Sequence, residues 1–312
     1  PNVFYEVGYS VGIQKPILLL VEEGAEIPTD LKGLEMIEYS GSKNAMEIFE
    51  RHLHEHLRLR MSSQVSLLRD MLEADSPQPS YILASPKYPT KQSRSIGQVP
   101  DQRTFGDNLG IMGLTSAFGS FMGEGRGVEL VSAQWYPDDL LRLPRNLYLI
   151  GSPKVNNATK IMLKKLQRGV EPDWFFGPAP GEKETGDYKM ALYRMREGKK
   201  LLVKGETSRI GPKKEVVHTV DHGIIVRGPH PDYPDRLVMI MAGNHSLGSG
   251  AACLAATRSP LIQQINDLLP PKKNIAKKGI TFWALVRGEV SKRDNLLDME
   301  DVKVLEAGVY DF

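Results

Sequence analysis

The spacing of apolar residues predicts an α/β protein that opens with a small α-β-β unit. Residues 2–14 carry valines four positions apart, which predicts a helix. A Lys-Pro pair ends this helix, and the β-prone run 17–21 that follows is typical of strands buried on both faces of a parallel sheet. Residues 34–39 form a second short apolar run. We therefore expect two neighbouring strands after the first helix.

A long helix is predicted to follow. Residues 43–75 have an apolar residue at every third or fourth position and contain neither Gly nor Pro. Such a length suits a connector or an oligomerisation arm, and the Pro-containing segment 76–80 ends it. We therefore divide the chain into residues 1–42, a connecting helix at 43–77 and a larger domain at 78–312.

The larger domain alternates apolar runs with Gly-marked turns and helical stretches, which is typical of an α/β sheet. The predicted strands are 81–84, 128–132, 147–150, 224–226 and 237–242, and the predicted helices are 109–122, 159–167 and 250–256. Two late strands, 281–290 and 302–310, are expected to form an antiparallel edge pair on a mostly parallel sheet. The Pro- and Gly-rich stretch 176–186 is predicted to be a mobile surface loop.

Composition excludes several classes of protein. With 41% hydrophobic and 25% charged residues in 312, the chain is ordinary for a globular protein. A net charge of +2 argues against a nucleic-acid coat or a polybasic membrane anchor. The run 17–21 is far too short to span a bilayer. The single cysteine, Cys253, excludes an internal disulfide. We expect a soluble, cytoplasmic protein without a membrane partner.

Three blocks near the amino end resemble a known family pattern. They are PNVFYEVGY at residues 1–9, KPILLL at 15–20 and IPTDLKG at 27–33. This order is similar to the TIR-like predicted nucleotide-binding proteins of bacterial defence systems and, more distantly, to nucleoside 2-deoxyribosyltransferases. The resemblance covers about the first 40 residues. It implies the C-terminal part of a TIR-like, flavodoxin-like domain, whose first strands and loops would precede Pro1.

The resemblance implies that Glu6 is the catalytic carboxylate for cleavage of an N-glycosidic bond in NAD or a nucleoside. Such cleavage develops oxocarbenium character, which a carboxylate can stabilise, attack or relieve by activating water. Asn2, Tyr5 and Tyr9 would then line the pocket, with NAD as a substrate and no tightly bound cofactor. The alternative is that Glu6 is favoured in the first turn of a helix by the helix dipole alone.

Two strand-to-helix turns in the larger domain are candidate ligand sites, because α/β sheets bind ligands at carboxyl strand ends beside helix N-termini. The first turn supplies Gly151, Ser152, Lys154, Asn156, Asn157 and Thr159, and the second supplies Asn244, His245, Ser246, Gly248 and Ser249. Neither turn has Walker or Rossmann spacing. A shared cleft for an anionic, nucleotide-like ligand and simple strand–helix punctuation both remain open.

Histidines offer weaker candidates. His222 or His245 could act as an acid or base near neutral pH, although a hydrogen-bonding role is the better interpretation. His52 and His56 have the separation that can hold a metal on a helix, but a solvated helix face is favoured, so no metal site is predicted. The paired lysines near residues 272–278 lack stacking aromatics, which argues against direct nucleic-acid binding.

The leading hypothesis is a bacterial defence or signalling protein. A TIR-like effector would hydrolyse NAD or a related nucleotide when the C-terminal domain binds a small ligand, through homo-oligomerisation. The alternative is a non-catalytic assembly subunit that meets nucleic acid only through a partner complex. A freestanding nucleoside-processing enzyme ranks last, because no second carboxylate is recognisably placed beside Glu6.

Overall fold

The chain forms two compact units, Pro1–Val65 and Ser66–Phe312, which are described separately. The computed structural model describes residues 19–25, 36–40, 49–50, 53, 66–73, 80–84, 100–119, 128–132, 141–167, 173–182, 190–210, 215–277, 279–290, 297 and 299–310. The division between the units falls inside the helix predicted at 43–75. Within that stretch, residues 49, 50, 53 and 66–72 are helical.

The first unit contains a parallel strand pair. Strand β1 (Leu19–Glu22) lies beside β2 (Met36–Tyr39), with Leu19 opposite Met36. The ring of Tyr39 contacts that of Phe49 at a centroid distance of 5.5 Å. The two strands predicted from apolar runs are thus present in the described part of this unit. The helix predicted at 2–14 lies outside the described residues.

The described part of the second unit contains two sheets and, besides the helical residues 66–72, four α-helices. The strands are β3 (Ser80–Ala84), β4 (Val128–Ser132), β5 (Leu147–Ile150), β6 (Trp174–Pro178), β7 (Met190–Arg196), β8 (Lys199–Leu202), β9 (Glu206–Ile210), β10 (Glu215–His230), β11 (Tyr233–Gly243), β12 (Phe282–Glu289) and β13 (Val302–Val309). The helices are α1 (Pro100–Gly119), α2 (Asn157–Leu166), α3 (Ser246–Thr257) and α4 (Ser259–Leu268), with a 3-10 turn at Met299–Asp301.

The large sheet is mixed. Its order is β13-β12-β10-β11-β5-β3-β4, with β9 paired to the first half of β10. Strands β4, β3, β5 and β11 are mutually parallel, whereas β10, β12 and β13 add in antiparallel fashion. The predicted α/β class and the late antiparallel edge pair are confirmed. The antiparallel half is larger than predicted, because β10 and β11 form a hairpin closed by the two residues Pro231 and Asp232.

Helices cover both faces of the parallel strands. Residues 148, 150, 239 and 241 pack with α1, α3 and α4, whereas residues 147, 149, 238 and 240 pack with α2 and the three-stranded sheet β6-β7-β8. Because both faces are buried here, the central segments 147–150 and 238–241 are hydrophobic at every position. Strand β6 of the small sheet extends into the predicted loop 176–186, so that prediction is wrong at its start, since β6 pairs with β7 through Pro178.

Arg227 of β10 fastens the helical residues 66–72 to the large sheet. Its guanidinium is buried and donates to the carbonyls of Asp70 and Met71, at 2.8 and 2.9 Å. It also pairs with the Glu73 carboxylate at 2.9 Å. The last carbonyls of the helix thereby gain the partners that a helix end lacks. All three of these partners belong to the protein, so the guanidinium has a structural role.

Candidate functional site

The candidate site lies where two neighbouring strands send their helices to opposite faces. Strands β5 and β11 are parallel neighbours, with Leu147 opposite Val238. After β5 the chain enters α2 on one face, and after β11 it enters α3 on the other. In open α/β sheets this arrangement leaves a crevice outside the carboxyl strand ends, where ligands bind. Both turns that the sequence singled out are at this edge, and the Gly151 amide donates to the Met241 carbonyl at 3.0 Å.

The turn after β5 is shaped by Gly151 and Asn156. Gly151 has a φ of +103°, which disfavours a side chain. The buried side-chain amide nitrogen of Asn156 donates to the carbonyls of Leu83 and Ile150, at 3.0 and 2.9 Å. Its oxygen accepts from the Thr159 amide at 3.3 Å and so caps α2. Asn156, predicted to bind a ligand, thus joins the ends of β3 and β5.

The remaining predicted residues of this turn differ in exposure. Ser152 and Thr159 are buried, and the Thr159 hydroxyl has no hydrogen-bond partner among the described residues. Lys154 and Asn157 are exposed. They are therefore the side chains of this turn that a ligand can reach.

Asn244 ties the turn after β11 to the small sheet. Its side-chain oxygen accepts from the Leu192 amide, and its side-chain nitrogen donates to the Val203 carbonyl at 3.2 Å. Ser249, further along, accepts from the Gly243 amide at 3.0 Å. These two predicted ligand residues already have protein partners.

The N-terminus of α3 is capped by a carboxylate from β10. Asp221 is fully buried, and its Oδ2 accepts from the amides of His245 and Gly248, at 2.9 and 2.8 Å. A negative charge at a helix N-terminus interacts favourably with the helix dipole. The sequence suggested an external anion at these amides, but the protein's own Asp221 stands there.

Two histidines accompany Asp221. The His245 ring is 46% exposed, and its Nδ1 lies 3.4 Å from the Asp221 Oδ1. The ring of His218 stacks on that of His245, with centroids 3.7 Å apart and planes 24° from parallel. Burial, followed by the neighbouring His245, holds the pKa of His218 below its usual value. Sequence analysis missed both His218 and the capping role of Asp221.

His222, the other predicted acid or base, lies apart from this cluster. It is adjacent to Asp221 in an extended strand, so its side chain points to the opposite face of the sheet. Burial is the main cause that lowers its pKa. Its Nδ1 is buried without a hydrogen-bond partner among the described residues. A neutral imidazole is therefore favoured here.

Glycines allow β10 and β11 to approach α3 at backbone distance. A Cβ at Gly223 would collide with the Gly248 carbonyl oxygen, and one at Gly243 would collide with the Ser249 amide. A Cβ at Gly248 would in turn collide with the His222 carbonyl. This contact brings the start of α3 onto Asp221. Gly248 was predicted as a ligand residue, and its close packing accounts for the glycine.

The other sequence candidates give no further group. Glu6, Asn2, Tyr5 and Tyr9 lie outside the described residues, and Ser246 is half-buried beside His245. Among the described residues, no cluster of three or more His, Cys, Asp or Glu is arranged to hold a metal ion. No helix in the described part of the chain is long and apolar enough to cross a membrane.

Comparison with protein-family models, with curated proteins and with solved structures found no match for this chain.

Proposed function

We propose that the second unit is a sensor for a small, anionic, nucleotide-like ligand, bound at the carboxyl edge between β5 and β11. The observation that carries the proposal is that the helices after these two adjacent strands pack on opposite faces of the sheet, the arrangement beside which open α/β sheets bind ligands. Adjacent strands lie about 4.8 Å apart, so the two turns border one space.

Three exposed side chains border this space. Lys154 offers an ammonium for a phosphate or carboxylate, and Asn157 offers both a donor and an acceptor for a base edge. The outer edge of the His245 ring adds a third polar group. The buried groups behind them, Asn156 and Asp221, hydrogen-bond within the protein and give the turns a fixed shape. Fixed turns lower the ordering cost of binding.

Calorimetry and thermal-shift measurements with mononucleotides, dinucleotides and cyclic nucleotides test the proposal. We expect one class to bind, and Lys154→Gln, Asn157→Ala and His245→Gln each to weaken it about tenfold, which corresponds to about 1.4 kcal/mol. Lys164→Gln, an exposed lysine at the other end of α2, is the matched control. Unchanged affinity in all three variants, or no binding of any class, would contradict the sensor.

The first unit is proposed to be part of a TIR-like effector that hydrolyses the nicotinamide–ribose bond of NAD. Its support is the resemblance of residues 1–9, 15–20 and 27–33, together with the parallel pairing of β1 and β2. We expect nicotinamide release from NAD to be lost in Glu6→Gln and retained in the control Glu23→Gln, which removes an exposed carboxylate near β1. Equal release by Glu6→Gln and the parent protein would refute this role of Glu6.

The second candidate function is a non-catalytic assembly subunit of a nucleic-acid-associated defence complex. One observation favours it: Asn156, Asn244, Ser249 and Asp221 all have protein partners at the candidate edge. Light scattering on the natively purified protein, with its absorbance ratio at 260 and 280 nm, separates the two. Co-purified nucleic acid would favour the assembly subunit, and its absence combined with nucleotide binding would favour the sensor.

A further inference from the structure

The cluster of His218, Asp221 and His245 depends on an irregularity in β10. In regular alternation, residues 218 and 221 would lie on opposite faces of the strand. The pairing with β9 shifts between His218 and Val220, so one extra residue is inserted there. Such a bulge reverses the alternation and turns His218 to the face that carries Asp221. The bulge thereby brings His218 onto the ring of His245.

The two stacked rings cannot both be positively charged imidazolium ions without a large cost in free energy. Two imidazolium ions with centroids 3.7 Å apart repel each other. Asp221 can balance one charge at most, because its Oδ2 is already used by two helix amides and only its Oδ1 faces His245. His218 also has a buried Nδ1 with no hydrogen-bond partner among the described residues. A positive charge on both rings therefore disfavours the stacked arrangement.

Among the residues that the structure describes, few charged groups lie around His218. Its partner on β9 is the uncharged Thr207, and the charged residues on that strand, Glu206 and Arg209, pair with positions 220 and 216. On β12, Arg287 lies opposite His222 and Glu289 lies opposite Val220. Arg287 and Glu289 form an ion pair with each other at 2.8 Å. Glu206 and Arg287 act on His222, whereas the groups that act on His218 are His245 and Asp221. The titration of His218 is therefore governed by this cluster.

We propose that the stack of His218 on His245 is a proton-operated clasp on the turn before α3. Above neutral pH the rings stack and hold residues 244–246 against β10. At mildly acidic pH a second proton drives the rings apart, the turn loosens, and ligand affinity at the edge falls. The last step depends on the proposed sensor function, whereas the first two do not.

Two measurements on the whole protein without ligand test the clasp. The first is the NMR titration of the histidine Cε1 protons. We expect the midpoint of His218 to rise by about half a pH unit or more in His245→Gln, because a like charge is removed. In the control His222→Gln it should stay unchanged. The second is hydrogen exchange of the His245 and Gly248 amides, which Asp221 protects. Their protection should fall about tenfold or more between pH 7.5 and 5.5.

His218→Phe is the decisive variant, because it keeps an aromatic ring stacked on His245 but that ring cannot be protonated. Its amide protection should not depend on pH in this range, and its ligand affinity should fall less between pH 7.5 and 5.5 than that of the parent protein. If the parent protein's two amides keep the same protection at both pH values, or if the midpoint of His218 is the same in His245→Gln as in the parent protein, the clasp is refuted. A pH-dependent clasp in a protein that binds no nucleotide would instead refute the sensor and leave the clasp intact.

Discussion

Removing the Asp221 carboxylate should destabilise the second unit more than any surface change. The carboxylate accepts two backbone amide hydrogen bonds, and the Gly248 amide is buried. A hydrogen bond to a charged group contributes about 1.5–3 kcal/mol, and a buried donor left without a partner costs its desolvation energy. For Asp221→Ala we therefore expect a loss of about 3–5 kcal/mol in the free energy of unfolding.

Asp221→Asn separates charge from hydrogen bonding. Its amide oxygen can still accept from both helix amides, so the expected loss is about 0.5–2 kcal/mol, the value of a charge at a helix N-terminus. In a domain of this size 1 kcal/mol shifts the melting temperature by about 2–4 °C. Alanine should thus lower it by about 10 °C or more and asparagine by a few degrees.

Scanning calorimetry and guanidinium denaturation measure both variants. The control is Asp235→Asn, since Asp235 is 72% exposed and should change stability by less than about 0.5 kcal/mol. If Asp221→Ala costs under about 1 kcal/mol, or if the alanine and asparagine variants are equally stable, Asp221 is not the cap that secures α3.

Three further predictions concern the same unit. Arg227→Met should lower the free energy of unfolding by about 3–5 kcal/mol, because Glu73 is left unpaired and the last carbonyls of helix 66–72 lose their donor. Urea denaturation measures this loss, and limited proteolysis of the variant should cut near residue 73 first. Gly223→Ala should yield little folded protein by near-UV circular dichroism, since its Cβ would collide with the Gly248 carbonyl. Stability should fall as pH drops below about 6.5, because the unfolded chain, with ordinary histidine pKa values, binds protons before the folded chain, in which the pKa values of His218 and His222 are lowered. Replacing both histidines with phenylalanine should reduce the change in the denaturation midpoint between pH 7.5 and 5.5 and leave the part due to His230, whose pKa is also lowered by burial; an unchanged slope would contradict this assignment.

Strands buried on both faces were predictable, because their apolar runs are continuous. The residues of β5 and β11 that form the centre of the sheet stand out for this reason. The small sheet was not predicted, since β6 contains Gly and Pro and β8 carries exposed lysines. Both strands depend on pairing with β7 rather than on their own pattern.

The site was only partly predictable, for a related reason. The two turns were found because a glycine-marked turn between a strand and a helix is a local feature. The contact of Asp221 with the start of α3 joins residues 24 and 27 positions apart in the chain. It requires the β10–β11 hairpin, and the approach of His218 requires a bulge. Neither the hairpin nor the bulge can be predicted from the spacing of apolar residues.

The glycine contacts have a mechanical consequence for α3. This helix meets β10 at Gly223 and also meets α1 through two further glycines, Gly110 beside Cys253 and Gly113 beside Thr257. The contact at Gly223 is mainly backbone against backbone, with little side chain that could change rotamer to absorb a displacement, whereas the contacts with α1 involve only the short side chains of Cys253 and Thr257. A displacement of the first turn of α3 must therefore move the whole helix as a rigid body. Helix α1 and strand β10 either shift with it or prevent the movement.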